Sequence, residues 1–252
     1  MRNIPLYEAG GHRFILLNES EPGEEEGIRS NQYLVMHGDS GVLLDPGGFG
    51  VMPGVLGELM QHMAPENIAA IILSHQDPDI VGGLSTWLEL TSAAVHVSRI
   101  WLRFLPHYGL RDMDRFAGIP DEGATIEPAP GLELQLVPAH FLHSAGHFNV
   151  FDPRSRVLFS GDVGAGLMPD DQDDPFVRDF DAHLPHIEGF HKRYMAGNRA
   201  TRDWADRVAE LDVAMIAPQH GPVYAGEAVP RFLDWMRNLA CGIDLLGRDG
   251  GS

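Results

Sequence analysis

The segment Ser74-His75-Gln76-Asp77-Pro78-Asp79 places three potential metal ligands within five residues. It follows Ile68-Ala69-Ala70-Ile71-Ile72-Leu73, an apolar run of the length and type expected of a buried strand. Buried carboxylates cost several kcal/mol each unless they are paired or bind a cation. No Lys or Arg stands nearby in sequence to pair with them. A strand ending in an imidazole and two carboxylates therefore predicts a metal site at its carboxyl end.

The rest of the chain must supply the remaining ligands from nitrogen and oxygen. Cys241 is the single cysteine, which excludes an intrachain disulfide framework and any all-thiolate zinc or iron–sulfur site. It falls in a late helix-like stretch around Phe232–Met236 and reads as a small apolar helix residue. At 252 residues with 44% hydrophobic content, the chain has material for a substantial core. It shows no repeat, low-complexity tract or long linker, so residues 1–252 are expected to form one domain.

A net charge of -18 disfavours nucleic acid and anionic membrane as partners. The acidic clusters Glu24-Glu25-Glu26 and Asp170-Asp171-Gln172-Asp173-Asp174 lack the Gly-containing spacing of a calcium loop and read as solvated loops. No window of about 18 apolar residues predicts a membrane span. Met1 to Glu8 lacks the apolar stretch of a signal peptide, so a cytoplasmic location is expected.

Strands are predicted at Arg13–Leu17, Gln32–Met36 and Gly41–Leu44, the last running into the turn Asp45-Pro46-Gly47-Gly48. Val51 to Met63 has helical spacing, and a helix through Trp87 and Leu90 follows Gly82-Gly83. A short strand at Ala94–Ser98 precedes an aromatic-rich segment from Ile100 to Phe116. Later strands are predicted at Leu132–Pro138, on both sides of a turn within Asn149–Ser160, and at Val213–Pro218, with a helix over about Ala200–Leu211. This order fits an α+β fold of two sheets between helical layers.

Three more candidate ligands stand where strands end. His143 lies in Phe141-Leu142-His143-Ser144-Ala145-Gly146-His147, Asp162 in Ser160-Gly161-Asp162-Val163-Gly164, and His220 in Ala217-Pro218-Gln219-His220-Gly221. A lone His is more often structural than ligating. Four strand ends that each present His or Asp beside Gly or Pro form a joint pattern pointing to one metal centre.

Over nearly its full length the chain resembles the metallo-β-lactamase superfamily. The resemblance rests on Asp45-Pro46-Gly47, the His-x-Asp-x-Asp segment at 75–79, the downstream His, the Gly161-Asp162 pair and the closing His220-Gly221. It implies an αββα sandwich of two mixed sheets between helical layers, with a two-metal site at one edge. The hydrolases of the superfamily carry His-x-His-x-Asp-His; here Asp77 replaces the second His, and Ile80 the last. A hard carboxylate in place of imidazole shifts preference from zinc toward iron or manganese. The flavodiiron proteins make a similar replacement, and Leu142-His143 keeps their distance from the bridging Asp. Ser-His-Gln-Asp-Pro-Asp, Phe-Leu-His-Ser and Phe-His-Lys-Arg-Tyr-Met (Phe190–Met195) are similar to segments of the flavin-free, stand-alone oxygen-binding diiron proteins.

By that resemblance His75, Asp77 and His143 hold one iron, Asp79 and His220 hold the other, and Asp162 bridges them. His147 is expected to stand outside the ligand set, and His140 at the strand edge or behind the ligands. His107, Tyr108, His147 and Tyr194 are candidates for the pocket wall. The implied function is a diiron protein that binds and reduces dioxygen, as a sensor or an O2-reactive component, passing from diferrous to diferric-peroxo. NO is the lesser substrate. Zinc or manganese can substitute in such a cage, and the alternative is a dinuclear metal-dependent hydrolase. The chain has no flavodoxin-like phosphate loop, no G-x-G-x-x-G and no C-x-x-C, so an external electron donor or signalling partner is implied. A homodimer is the expected assembly, with Ile100–Leu105 as one candidate surface.

Overall fold

The computed structural model describes residues 3–17, 28–169 and 174–247. Met1, Arg2, the cluster Glu24-Glu25-Glu26 and residues Asp170 to Asp173 lie outside them. Two sheets form the centre. The first has seven strands in sequence order: β1 (Ile4–Ala9), β2 (His12–Leu17), β3 (Gln32–His37), β4 (Ser40–Leu44), β5 (Ile68–Ile72), β6 (Ala94–Ser98) and β7 (Phe116–Ile119). It runs antiparallel through β4 and parallel from β4 to β7. The second comprises β8 (Ala124–Ala129), β9 (Leu132–Pro138), β10 (Phe148–Asp152), β11 (Val157–Gly161), β12 (Met215–Pro218) and β13 (Tyr224–Ala225). Only β11 and β12 are parallel within it.

The helices are α1 (Met52–Leu59), α2 (Pro78–Val81), α3 (Leu84–Leu90), α4 (Phe180–Tyr194), α5 (Asn198–Ala209) and α6 (Ala228–Asn238). The two-residue alternation of strand side chains sorts the apolar residues into three layers. Tyr33, Val35, Val42, Leu44, Ala70 and Ile72 face Leu134, Leu136, Phe148, Val150, Val157 and Phe159 between the sheets. Their neighbours Leu34, Leu43, Ile71 and Leu73 pack outward against α1 and α3. Phe151, Leu158 and Ile216 pack against α4, α5 and α6. The αββα sandwich is thus present, with both faces of β3, β4, β5 and β11 buried.

The structure adds β1, β7, β8 and β13 to the strands expected from sequence and departs from that expectation in further respects. α4 is absent from it, because Pro185 and Gly189 interrupt the helical signal. Asp179 caps that helix by accepting from the backbone N–H groups of Asp181 and Ala182. The Ile100–Phe116 segment forms turns and two short 3-10 helices, at Leu105–Tyr108 and Met113–Arg115, before entering β7. Cys241 lies beyond the end of α6, where burial pushes its thiol up to about 11. Among the described residues, no helix is long and apolar enough to cross a membrane.

Candidate metal centre

Four carboxyl-terminal strand ends converge on one edge of the sandwich. β4 delivers Asp45, β5 delivers Ser74 and His75, β11 delivers Asp162 and β12 delivers Gln219 and His220. Backbone bonds tie the ends together: Phe148 N donates to Ser74 O at 2.9 Å, and Gln219 N to Gly161 O at 2.8 Å. Pro78 at the start of α2 fixes the turn after β5 and sets Asp77 just before the helix, with Asp79 in its first turn.

The side chains face one another across short gaps. His143 Nε2 lies 2.8 Å from Asp77 Oδ2 and 3.5 Å from Asp162 Oδ2. His75 Nε2 lies 3.6 Å from Asp77 Oδ2 and 4.0 Å from Asp162 Oδ1. His220 Nε2 lies 3.3 Å from Asp79 Oδ2 and 3.6 Å from Asp162 Oδ1. All six sequence candidates are therefore brought together. His75, His143 and Asp162 have ligand atoms close enough to share one ion. Asp162 Oδ1 is buried with no hydrogen-bond partner among the described residues, as expected of an oxygen shaped for a cation.

Protons and charges are distributed to match. Burial works to push the Asp77 carboxyl up, but hydrogen bonds from His143 and His75 outweigh it and hold it well below the usual range. Asp79 is likewise lowered, burial being overcome by His220. Burial alone would lower His220, yet its bond to Asp79 and the charge of Asp162 raise it to about 9. His75 is raised against its own burial by Asp77 and Asp162.

The candidate ligands are aimed by partners that sequence reasoning missed. Ser74 Oγ donates to Asp45 Oδ2 at 2.5 Å and accepts from His75 Nδ1 at 2.9 Å, while Ser74 N donates to Asp45 Oδ1 at 2.7 Å. His220 Nδ1 donates to the Arg29 carbonyl at 2.7 Å. Both imidazoles thus turn Nε2 toward the cage, the usual task of groups behind metal-bound histidines. Burial raises Asp45 to about 7. Asp45 (φ 45) and His143 (φ 69) hold left-handed backbone, a strained state that packing must maintain and that gathers at functional sites.

His147 packs against His75, with ring centroids 5.0 Å apart, and is not among the residues whose ligand atoms converge. Its Nδ1 donates to the Leu142 carbonyl at 2.7 Å, stapling the loop that presents His143, and its Nε2 is buried without a partner among the described residues. Tyr194 and Phe190 of α4 pack on His143 with ring centroids 5.3 and 5.6 Å away. His107 and Tyr108 line a cavity of about 350 Å³ with Gln76, Trp101 and Phe104. His140 turns away, bonding the Asp121 carbonyl and packing edge-on against Phe148. Ile80 is fully buried in the layer under α1 and α3. In Ile100–Leu105, Leu105 is core while Phe104 is exposed, so the segment both packs and presents surface.

α4 also grips the Asp162 loop. His191 Nε2 accepts from Gly164 N at 2.9 Å, and Tyr224 OH donates to Gly164 O at 2.9 Å. Burial pushes His191 down to about 4. Because its folded value lies below the ordinary value of about 6.5, stability from this group is complete above that value and is lost as pH falls toward 4. Urea unfolding of metal-free protein at pH 7 and pH 4.5 should therefore show about 2 kcal/mol less acid-induced loss in His191→Gln than in wild type. Equal losses would show that His191 is not held neutral.

The model of the "ODP family beta lactamase" matches residues 28–221. A structure of the "peroxy diiron species of chemotaxis sensor ODP" is 40% identical, covers 97% of each chain and superposes with a TM-score of 0.86. The apo state of the chemotaxis sensor ODP from T. denticola is 42% identical over 96% of this chain and 97% of its own, with a TM-score of 0.84. Among curated proteins, a putative diflavin flavoprotein A 2 of Nostoc sp. is 30% identical over 81% of this chain. The match spans only 35% of that longer protein.

Proposed function

Because the chain belongs to the ODP family of beta-lactamase-fold proteins, we propose that it is an oxygen-binding diiron protein with a sensing role. His75, Asp77 and His143 hold one metal, Asp79 and His220 the other, and Asp162 lies between them. Asp162 carries this reading: its Oδ2 faces His143, while its Oδ1 faces both His75 and His220. Three imidazoles and three carboxylates make a mixed nitrogen and oxygen set that suits Fe(II) or Mn(II) and admits zinc. Two Fe(II) ions supply the electrons and open positions that dioxygen needs.

The chain's own residues do the rest. The carboxylates of Asp77, Asp79 and Asp162 offset the cations' charge. Ser74 and the Arg29 carbonyl fix the protons of His75 and His220 on Nδ1, leaving Nε2 to face the metals. Phe190 and Tyr194 cover one side of His143 with apolar surface. Ile80, turned into the core, withholds the imidazole that the hydrolases place there, which favours dioxygen over hydrolysis.

Sensing is supported by 40% identity to the chemotaxis sensor ODP across nearly the whole chain. Turnover of O2 requires electrons from an external donor. The test is anaerobic purification, metal quantification and a visible spectrum before and after admitting air. About two irons per chain and a new oxygen-to-iron charge-transfer band are expected. Zinc alone, with no spectral change after iron reconstitution, would overturn the reading in favour of a hydrolase.

A further inference from the structure

Gln76 stands between two candidate ligands, and three of its polar atoms are engaged. Its side-chain N–H donates to Asp77 Oδ1 at 2.8 Å, and its amide oxygen accepts from the Ser144 hydroxyl at 2.7 Å. Its backbone carbonyl accepts from Tyr108 OH at 2.6 Å. An ionised carboxylate only accepts, so the amide must turn its N–H to Asp77, which leaves its oxygen for the Ser144 hydroxyl. The three bonds come from the loop of His143, the turn at Leu105–Tyr108 and Asp77 itself. The amide therefore has no competing orientation.

The effect falls on one oxygen. With Oδ1 taken by the amide, Asp77 presents only Oδ2 to the imidazoles of His143 and His75. Rotation about the terminal torsion of an aspartate is soft, so the carboxylate alone would not hold this pose. The other half of the site is built differently. Gln219 Nε2 donates at 3.0 Å to Asp79 Oδ2, the same oxygen that faces His220. One glutamine caps the oxygen turned away from the cage, and the other shares the oxygen turned toward it.

We infer that Gln76 is a positioning residue that restricts Asp77 to single-oxygen coordination and so keeps a coordination position open for an exogenous ligand on the side held by His75, Asp77 and His143. The inference rests on the reading of those three residues as ligands. Without the amide, Asp77 pivots, its second oxygen occupies that position and an incoming small ligand must displace it.

Cobalt(II) loaded anaerobically into the full chain, with azide as the probe, tests this through the visible d–d bands. Wild type, Gln76→Leu and Gln76→Asn are compared, the last being too short to reach Asp77 Oδ1. Both variants should retain the wild-type cobalt complement and lose azide affinity by about tenfold or more. Their d–d absorption should shift toward the wild-type azide-bound form, as the added oxygen raises the coordination number. Unchanged azide affinity at full cobalt occupancy in either variant would overturn the inference. Asp77→Ala separates it from its premise: cobalt uptake unaltered by that substitution would remove Asp77 as a ligand. Weakened uptake in Asp77→Ala alongside wild-type azide binding in the Gln76 variants would leave the ligand set standing and discard the role of Gln76 alone.

Discussion

Asp162→Ala is expected to reduce bound metal from about two ions per chain to less than about half an ion, measured by elemental analysis after anaerobic loading and desalting. Among the described residues no other carboxylate faces all three imidazoles: Asp77 faces His75 and His143, and Asp79 faces His220. Removing Asp162 deletes the one group common to both halves. Two cations at the proposed site would then lack the carboxylate charge that offsets their mutual repulsion, so both ions should be lost together. Asp162→Asn keeps the volume and the loop while removing the charge, and it should lose metal nearly as fully. A variant retaining both ions would show that the halves are independent and that Asp162 does not join them.

Gly161→Ala should destabilise the fold by about 2–5 kcal/mol through two effects acting together. Gly161 has φ +53, where an L side chain costs about 1–2 kcal/mol. A Cβ there would also run into His147 Nε2 and come within 2.8 Å of Ser74 Oγ and 3.0 Å of Ser74 Cβ. Neither neighbour can retreat, since Ser74 is fixed by Asp45 and His147 by the Leu142 carbonyl. Overpacking of this kind costs about 1–3 kcal/mol more. Gly226→Ala is the control, because Gly226 has φ +56 but nothing within 4 Å of an added Cβ. Thermal unfolding of the two metal-free variants separates backbone strain from crowding. Equal melting temperatures would mean that the space beside Gly161 is not filled as described.

Much of the candidate centre was legible in the sequence because its proposed ligands obey a local rule. His75, Asp162 and His220 each follow an apolar strand directly, and strand ends are readable from periodicity. The αββα architecture followed from the same strand order and from the family resemblance. What escaped was everything whose partner is remote in sequence. Asp45 bonds Ser74 across β4 and β5, Arg29 meets His220, and His191 reaches Gly164 from α4. No period or spacing relates those pairs. α4 itself was hidden by Pro185 and Gly189, although its packing against the second sheet compensates for both breakers. Gln76 was visible only as a spacer between ligands, because its amide acquires meaning from a serine in a loop that closes over it.

The placement of the cage has a bearing on how the chain folds. Its donors come from the end of β5 in one sheet and from β11, β12 and the β9–β10 connection in the other. The earliest and last of them, His75 and His220, stand on different sheets, so loop closure across most of the chain must precede their meeting. The full set of six side chains is not assembled while the sheets are apart. A metal held as proposed would bind the docked state and add to its stability by mass action. Such a centre would be a latch closed on a finished sandwich, slowing its opening rather than hastening its construction.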